Sequence, residues 1–219
     1  MATKKTPNTK DKIVSLYMNY RLENADRPNS VYLFAKENDF TETEFYTYFG
    51  TIESIEKEIF KVFFEKTKQL IEKDPAYENY DMKTKTLSFY FTFFEMLSAN
   101  RSYVQLTMKE HRNQLKNLMQ LSSLRVEFKN YIGEILTDDL RVQYEKFHDI
   151  QEKALKESAW IQFLMILKFW LDDASPSFEK TDVFIEKSVK ASFELMNMAP
   201  IESLIDFGKF LFKEKIQQN

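Results

Sequence analysis

The chain has 219 residues, 43% of them hydrophobic and 30% charged, enough to bury a core in one or two domains. Three glycines and five prolines supply too few turns for a many-stranded fold, so the composition points to an all-α protein. The absence of cysteine removes disulfides, thiolate metal sites and cysteine nucleophiles, and a net charge of −3 gives no global field favouring nucleic acid.

Residues 1–10 are polar, carry Lys4, Lys5 and Lys10, and lack the apolar run of a secretory signal; a flexible arm on a cytoplasmic protein is expected. A first helix is predicted over 13–22, with Ile13, Leu16, Tyr17 and Tyr20 on one face. Residues 31–55 then carry the grammar of a helix-turn-helix: a short helix over 31–38, a turn at Asp39, Phe40 and Thr41, a second helix over 42–49, and a third opening after Gly50. Thr41 and Glu44 have the spacing of a capping box, in which each side chain satisfies the other residue's backbone N–H. Asp39 occupies the turn position that needs a residue tolerant of left-handed dihedrals.

In this register the chain resembles the TetR family of bacterial regulators. The family's series of apolar, Ala, turn, apolar, Tyr and Phe residues falls on Phe34-Ala35, Asp39-Phe40-Thr41 and Phe45-Tyr46-Thr47-Tyr48-Phe49, with Thr51 and Ile55 placed like the cap and the Leu of the family's fourth helix. Two positions depart from it: Ile52 stands where the family usually has Lys, and Glu42 and Glu44 put two acids at the head of the recognition helix. The resemblance implies an all-α, TetR-like fold: a helix-turn-helix domain over 11–57 and a ligand-binding and dimerisation domain over 58–219. It implies a homodimer that binds operator DNA and an apolar or amphipathic small molecule. Tyr46 and Tyr48 match phosphate-contacting positions of the family, and Thr41, Thr43 and Thr47 lie on the part of the recognition helix that would face the groove.

Further along, a helix opening at Thr51 is predicted to run to about residue 73, followed by a breaker-rich loop over 74–81. Residues 82–100 read as a central helix dense in aromatics, with Ser88, Thr92 and Glu95 on one narrow polar stripe that either lines a cavity or forms a wet edge. An internal ligand cavity would be bounded by Phe89, Phe93, Met96, Tyr103 and Phe163. Helices are predicted over 101–110, 113–136, 138–148 and 151–171. Within the last, 159–171 is apolar on nearly every side, too short to span a bilayer, and is expected at a subunit interface with the helix over 178–197. Pro28, Pro75, Pro176 and Pro200 punctuate these segments. A last amphipathic helix over 201–215 either docks or makes contact with a membrane surface or partner.

Little else carries chemistry. Glu145 and His148 have the Glu-x-x-His spacing of di-iron bundles, but His111 has Met108 where a second glutamate would stand, so no metal is expected. Phosphate loops and nucleophile motifs are missing, and neither an enzyme nor a cofactor is expected. Two functions follow: a ligand-responsive regulator with weak DNA binding, or a lipid- or isoprenoid-binding accessory protein on the same fold that does not bind DNA. The weak binding follows from charge, because residues 29–60 hold Lys36 and Lys57 against Glu37, Asp39, Glu42, Glu44, Glu53, Glu56 and Glu58. Lys4, Lys5, Lys10 and Lys12, with Arg21 and Arg27, are expected to restore some attraction.

Overall fold

The computed structural model describes residues 9–24, 26–110, 114–143 and 149–198, and every regular element among them is helical. The α-helices are α1 (Lys10–Asn24), α2 (Val31–Glu37), α3 (Glu42–Tyr48), α4 (Ile52–Ile71), α5 (Met82–Ala99), α6 (Arg101–Met108), α7 (Gln114–Met119), α8 (Ser122–Gln143), α9 (Asp149–Asp172) and α10 (Glu179–Met198). Single 3-10 turns lie at Tyr77–Asn79 and Pro176–Phe178. The chain divides into two compact units: one built from residues through Thr67 and from Glu95–Val126, the other from Lys68–Phe94 and from Glu127 onward.

In the first unit, α1, α2 and α3 close around one ring. Phe34 is fully buried and meets Tyr17, Tyr20, Phe40 and Phe45 edge to face at centroid distances of 5.2 to 6.4 Å, the geometry that aromatic quadrupoles favour. The turn that brings Phe40 back onto Phe34 is a helix C-terminal motif of Schellman type. Asp39 adopts φ 58°, and the Phe40 amide donates to the Ala35 carbonyl at 3.0 Å. Thr41 then starts α3 abruptly: its hydroxyl accepts from the Glu44 amide at 3.2 Å while the Glu44 carboxylate accepts from the Thr41 amide at 2.8 Å. Both the left-handed aspartate and the capping box match the expectation from sequence.

In the second unit, an aromatic cluster forms the core. Phe89 stacks on Phe93, and Phe128 and Phe163 pack beside them together with Tyr90, Phe94, Trp160 and Trp170. Tyr77 and Tyr131 bury their hydroxyls as a mutual hydrogen bond of 2.7 Å, and Tyr131 stands 3.2 Å from the Lys85 carbonyl.

Two expectations from the sequence need correction. The single helix expected over 113–136 is two, α7 and α8, because 3-10-type bonds from Gln120 to Asn117 and from Leu121 to Leu118 close α7 and turn Leu121 into the core. The separate helix expected to begin at Asp138 does not begin there: α8 runs on to Gln143, since Thr137 and Asp138 lower helix propensity without breaking it. Within 159–171, the chain covers one face and leaves another open. Trp160, Phe163, Ile166, Leu167 and Trp170 are buried, whereas Ile161 and Met165 are 58% and 57% exposed. The helix expected over 201–215, His111, Glu145 and His148 lie outside the described residues.

Candidate functional site

Helix α3 buries only Phe45, so nearly all its other side chains face outward. Thr41, Thr43 and Thr47 are exposed, and Tyr46 and Tyr48 are 54% and 42% exposed, their rings braced against Phe45 and Phe49 at 5.6 and 6.2 Å. Two of the threonine hydroxyls are already spent as donors. Thr41 donates to the Glu44 carboxylate at 2.9 Å, and Thr47 donates to the Thr43 carbonyl at 2.8 Å. Hydrogen bonds to a phosphate need donors, which leaves Thr43, Tyr46 and Tyr48 to supply them from this helix. Along residues 36–57, Glu37, Asp39, Glu42 and Glu53 are exposed acids and Lys36 and Lys57 exposed cations.

Behind this surface lies a charged cluster. The Glu56 carboxylate, 3% exposed, receives the Tyr17 hydroxyl at 2.7 Å, Arg21 Nη1 at 2.5 Å, and Arg27 Nε and Nη2 at 2.9 and 2.8 Å. Glu110 adds contacts of 3.5 Å to Arg21 and 3.4 Å to Arg27, and accepts from Gln120 at 3.3 Å. Burial, with the Glu56 charge beside it, pushes the Tyr17 hydroxyl far above the usual phenol range, so Tyr17 stays a neutral donor. Tyr103 is fully buried in the same unit, where burial likewise holds its hydroxyl protonated.

This cluster overturns one expectation. Arg21 is buried, Arg27 is bound through two nitrogens, and Lys10 is paired with Glu58 at 2.9 Å, so three of the cations expected to help attract DNA neutralise this protein's own carboxylates instead. Sequence reading missed the cluster because its members lie 29 to 39 residues apart along α1, α4 and the segment between α1 and α2. A signal was present. Glu56 falls in the apolar phase of α4 with Ile52, Ile55, Ile59 and Phe60, and Arg21 falls in that of α1 with Tyr17 and Met18; a charge in such a phase needs a buried partner.

The residues expected to bound a ligand fall into both units. Phe89, Phe93 and Phe163 are buried together in the second unit's aromatic cluster, whereas Met96 and Tyr103 belong to the first. On α5, Ser88 and Thr92 are half-exposed and Glu95 exposed, so the polar stripe is a wet edge. An open groove of about 760 Å³, which the sequence did not announce, runs beside the turn between α9 and α10. Its floor is the stacked pair Phe169 and Phe184, 4.5 Å apart, and Met165, Lys168, Asp172 and Lys180 line its sides.

Short helices around a tight turn near the N-terminus, followed by a larger helical remainder, define an all-α protein of TetR-like class. Residues 85–211 match the tetracyclin repressor-like C-terminal domain, more than half of the chain, and the chain belongs to the TetR family of regulators. No curated protein matches it. No helix among the described residues is long and apolar enough to cross a membrane, and none of their acids and histidines group in a way that could hold a metal ion.

Proposed function

We propose that this TetR-like regulator is a cytoplasmic homodimer that responds to an apolar or amphipathic ligand and binds operator DNA only weakly. Residues 11–57 serve as the DNA-binding-like domain and 58–219 as the ligand-binding and dimerisation domain, with Phe89, Phe93 and Phe163, which lie together in the second unit, as the ligand-facing candidates. The observation that carries the reading is the pair α2 and α3, joined by the Asp39 turn and fixed by the Thr41–Glu44 box, with Thr43, Tyr46 and Tyr48 turned outward. Weakness follows from charge: affinity for duplex DNA comes largely from cations that displace counterions from phosphate, and Arg21, Arg27 and Lys10 are engaged by Glu56, Glu110 and Glu58. Selection from random duplexes, followed by titration at physiological salt, tests this. Nanomolar, sequence-specific binding by the unmodified chain would overturn it.

The second reading, a lipid- or isoprenoid-binding accessory protein without an operator, is favoured by the same loss of free cations together with the aromatic interior of the second unit. Extraction of the purified protein with organic solvent, and mass spectrometry of the extract, separates the two. A stoichiometric lipid with no selected duplex supports the accessory protein; a selected duplex excludes it.

A further inference from the structure

We infer that helix α7 lays its outward face on the surface of an anionic phospholipid membrane. The inference goes beyond the function proposed above and stands whether or not operator DNA is bound. Leu115, Leu118 and Met119 are 71%, 38% and 62% exposed within a helix of six residues. At roughly 100° per residue they share one arc of about 100° along the helix, and Asn117 falls on the opposite side. The structure fixes that orientation independently. Asn117 is buried and donates to the Met108 carbonyl at 2.8 Å, which seats α7 against the end of α6. The three apolar side chains, spaced i, i+3 and i+4, are thus neighbours on one face turned outward. Single exposed apolar residues are ordinary, but several joined on one face mark an interaction site.

Charge and side-chain type select the occupant. Residues 96–126 hold Arg101, Lys109, Arg112, Lys116 and Arg125 against a single acid, Glu110, in a chain whose net charge is −3. That acid is engaged by Arg21 and Arg27 at 3.5 and 3.4 Å, while Lys109 and Lys116 are exposed. By the same helical geometry, Lys116 flanks the apolar arc on its Met119 side. The stretch therefore attracts an anion, and its apolar face requires that the anion also offer hydrocarbon. A phospholipid surface presents both together: headgroup phosphates and carboxylates for the lysines, whose alkyl stems let the ammonium groups reach them, and acyl chains for the leucines and Met119. Duplex DNA offers phosphate without hydrocarbon along its backbone. Composition disfavours a protein partner, because protein interfaces are depleted in lysine and seldom draw their energy from leucine, and α7 has no aromatic residue.

The test uses the full chain and vesicles of phosphatidylcholine with or without phosphatidylserine, read by sedimentation. The chain has no cysteine, so Met119→Cys on α7 and Leu195→Cys on α10 each accept a single environment-sensitive dye. Binding to the phosphatidylserine vesicles is expected, with a blue shift of the dye at position 119 and none at 195. Lys109→Gln and Lys116→Gln should each weaken binding about fivefold, as removal of one cation near an anionic surface does. Leu115→Gln/Met119→Gln should abolish it with an unchanged thermal melt. Because the dye at 119 is read with both leucines in place, it decides the matter even if that double variant fails to fold. No sedimentation, equal binding to phosphatidylcholine alone, or a shift at 195 as large as at 119 overturns the inference. A random duplex and a helical peptide of alternating glutamate and leucine pairs run beside the vesicles. Binding of either that shifts the dye at 119 when the vesicles do not would overturn it and assign the face to nucleic acid or to protein.

Discussion

Glu56 holds two guanidinium groups and a tyrosine hydroxyl inside the first unit, so its removal leaves the buried Arg21 with only the longer 3.5 Å contact to Glu110 and the Tyr17 hydroxyl without its acceptor. Glu56→Ala is expected to cost about 3 to 5 kcal/mol, read as a lowered urea midpoint. Replacing Glu56 and Arg21 together by methionine should cost less than Glu56→Ala alone, because no charge is then left uncompensated. A second carboxylate behaves differently. Burial alone would raise the pKa of Asp173, but the backbone and hydroxyl donors of Ser175 and Thr181 outweigh it and hold the group down, from 3.8 to about 2. Its folded value lies below its unfolded one, so its contribution is present above pH 3.8 and is lost as pH falls through about 2. Asp173→Asn should therefore destabilise the protein at neutral pH by roughly 1 to 3 kcal/mol, with the gap from the unsubstituted protein closing as acid is added. Urea titrations across that window check it.

Among the elements, α3 depends most on its ends, because only Phe45 of its seven residues is buried. Thr41→Ala removes a cap and its reciprocal bond to Glu44, and is expected to cost about 1 kcal/mol, with faster amide exchange confined to α3. If α3 exchanges no faster in the variant, the cap does not hold the helix. The same dependence bears on charge-reversal tests of DNA binding: Glu42→Lys leaves the capping box intact and forgoes only the first-turn acid's interaction with the helix dipole, whereas any change at Glu44 unpicks the box. Much of this element was legible in advance, since a Thr-x-x-Glu spacing and an Asp at a turn position that needs left-handed dihedrals are local signals. The break between α7 and α8 was not, because it depends on Leu121 reaching a core made by residues distant in sequence.

At the scale of the whole molecule, the proposed dimer draws on the outward face of α9. Ile161 and Met165 lie four residues apart and expose more than half of their surface, with Val183 and Leu195 exposed on α10. Ile161→Glu/Met165→Glu is expected to convert a dimer to a monomer in light scattering at micromolar concentration while leaving the fold intact. Ile185 is the wrong place for such a charge: it is fully buried in its own chain, so a glutamate there would unfold rather than dissociate. A dimer that withstands the α9 pair of charges would remove this face from the interface.

The sequence by itself determined what is local or periodic. Helical class follows from scarce turn residues and 3.6-residue patterning, and the Asp39 turn and the Thr41–Glu44 box follow from the dihedral and hydrogen-bonding preferences of single residues. Only the tertiary structure decided which charges are free. Arg21, Arg27 and Lys10 look like available cations in a list of residues, yet their carboxylate partners lie 29 to 48 residues away. Likewise, the pattern of 159–171 marks an apolar helix, but which of its faces the chain itself covers depends on the elements that pack against it. Pairing between distant residues has no periodic signature, because it is set by where the packed helices bring their side chains together.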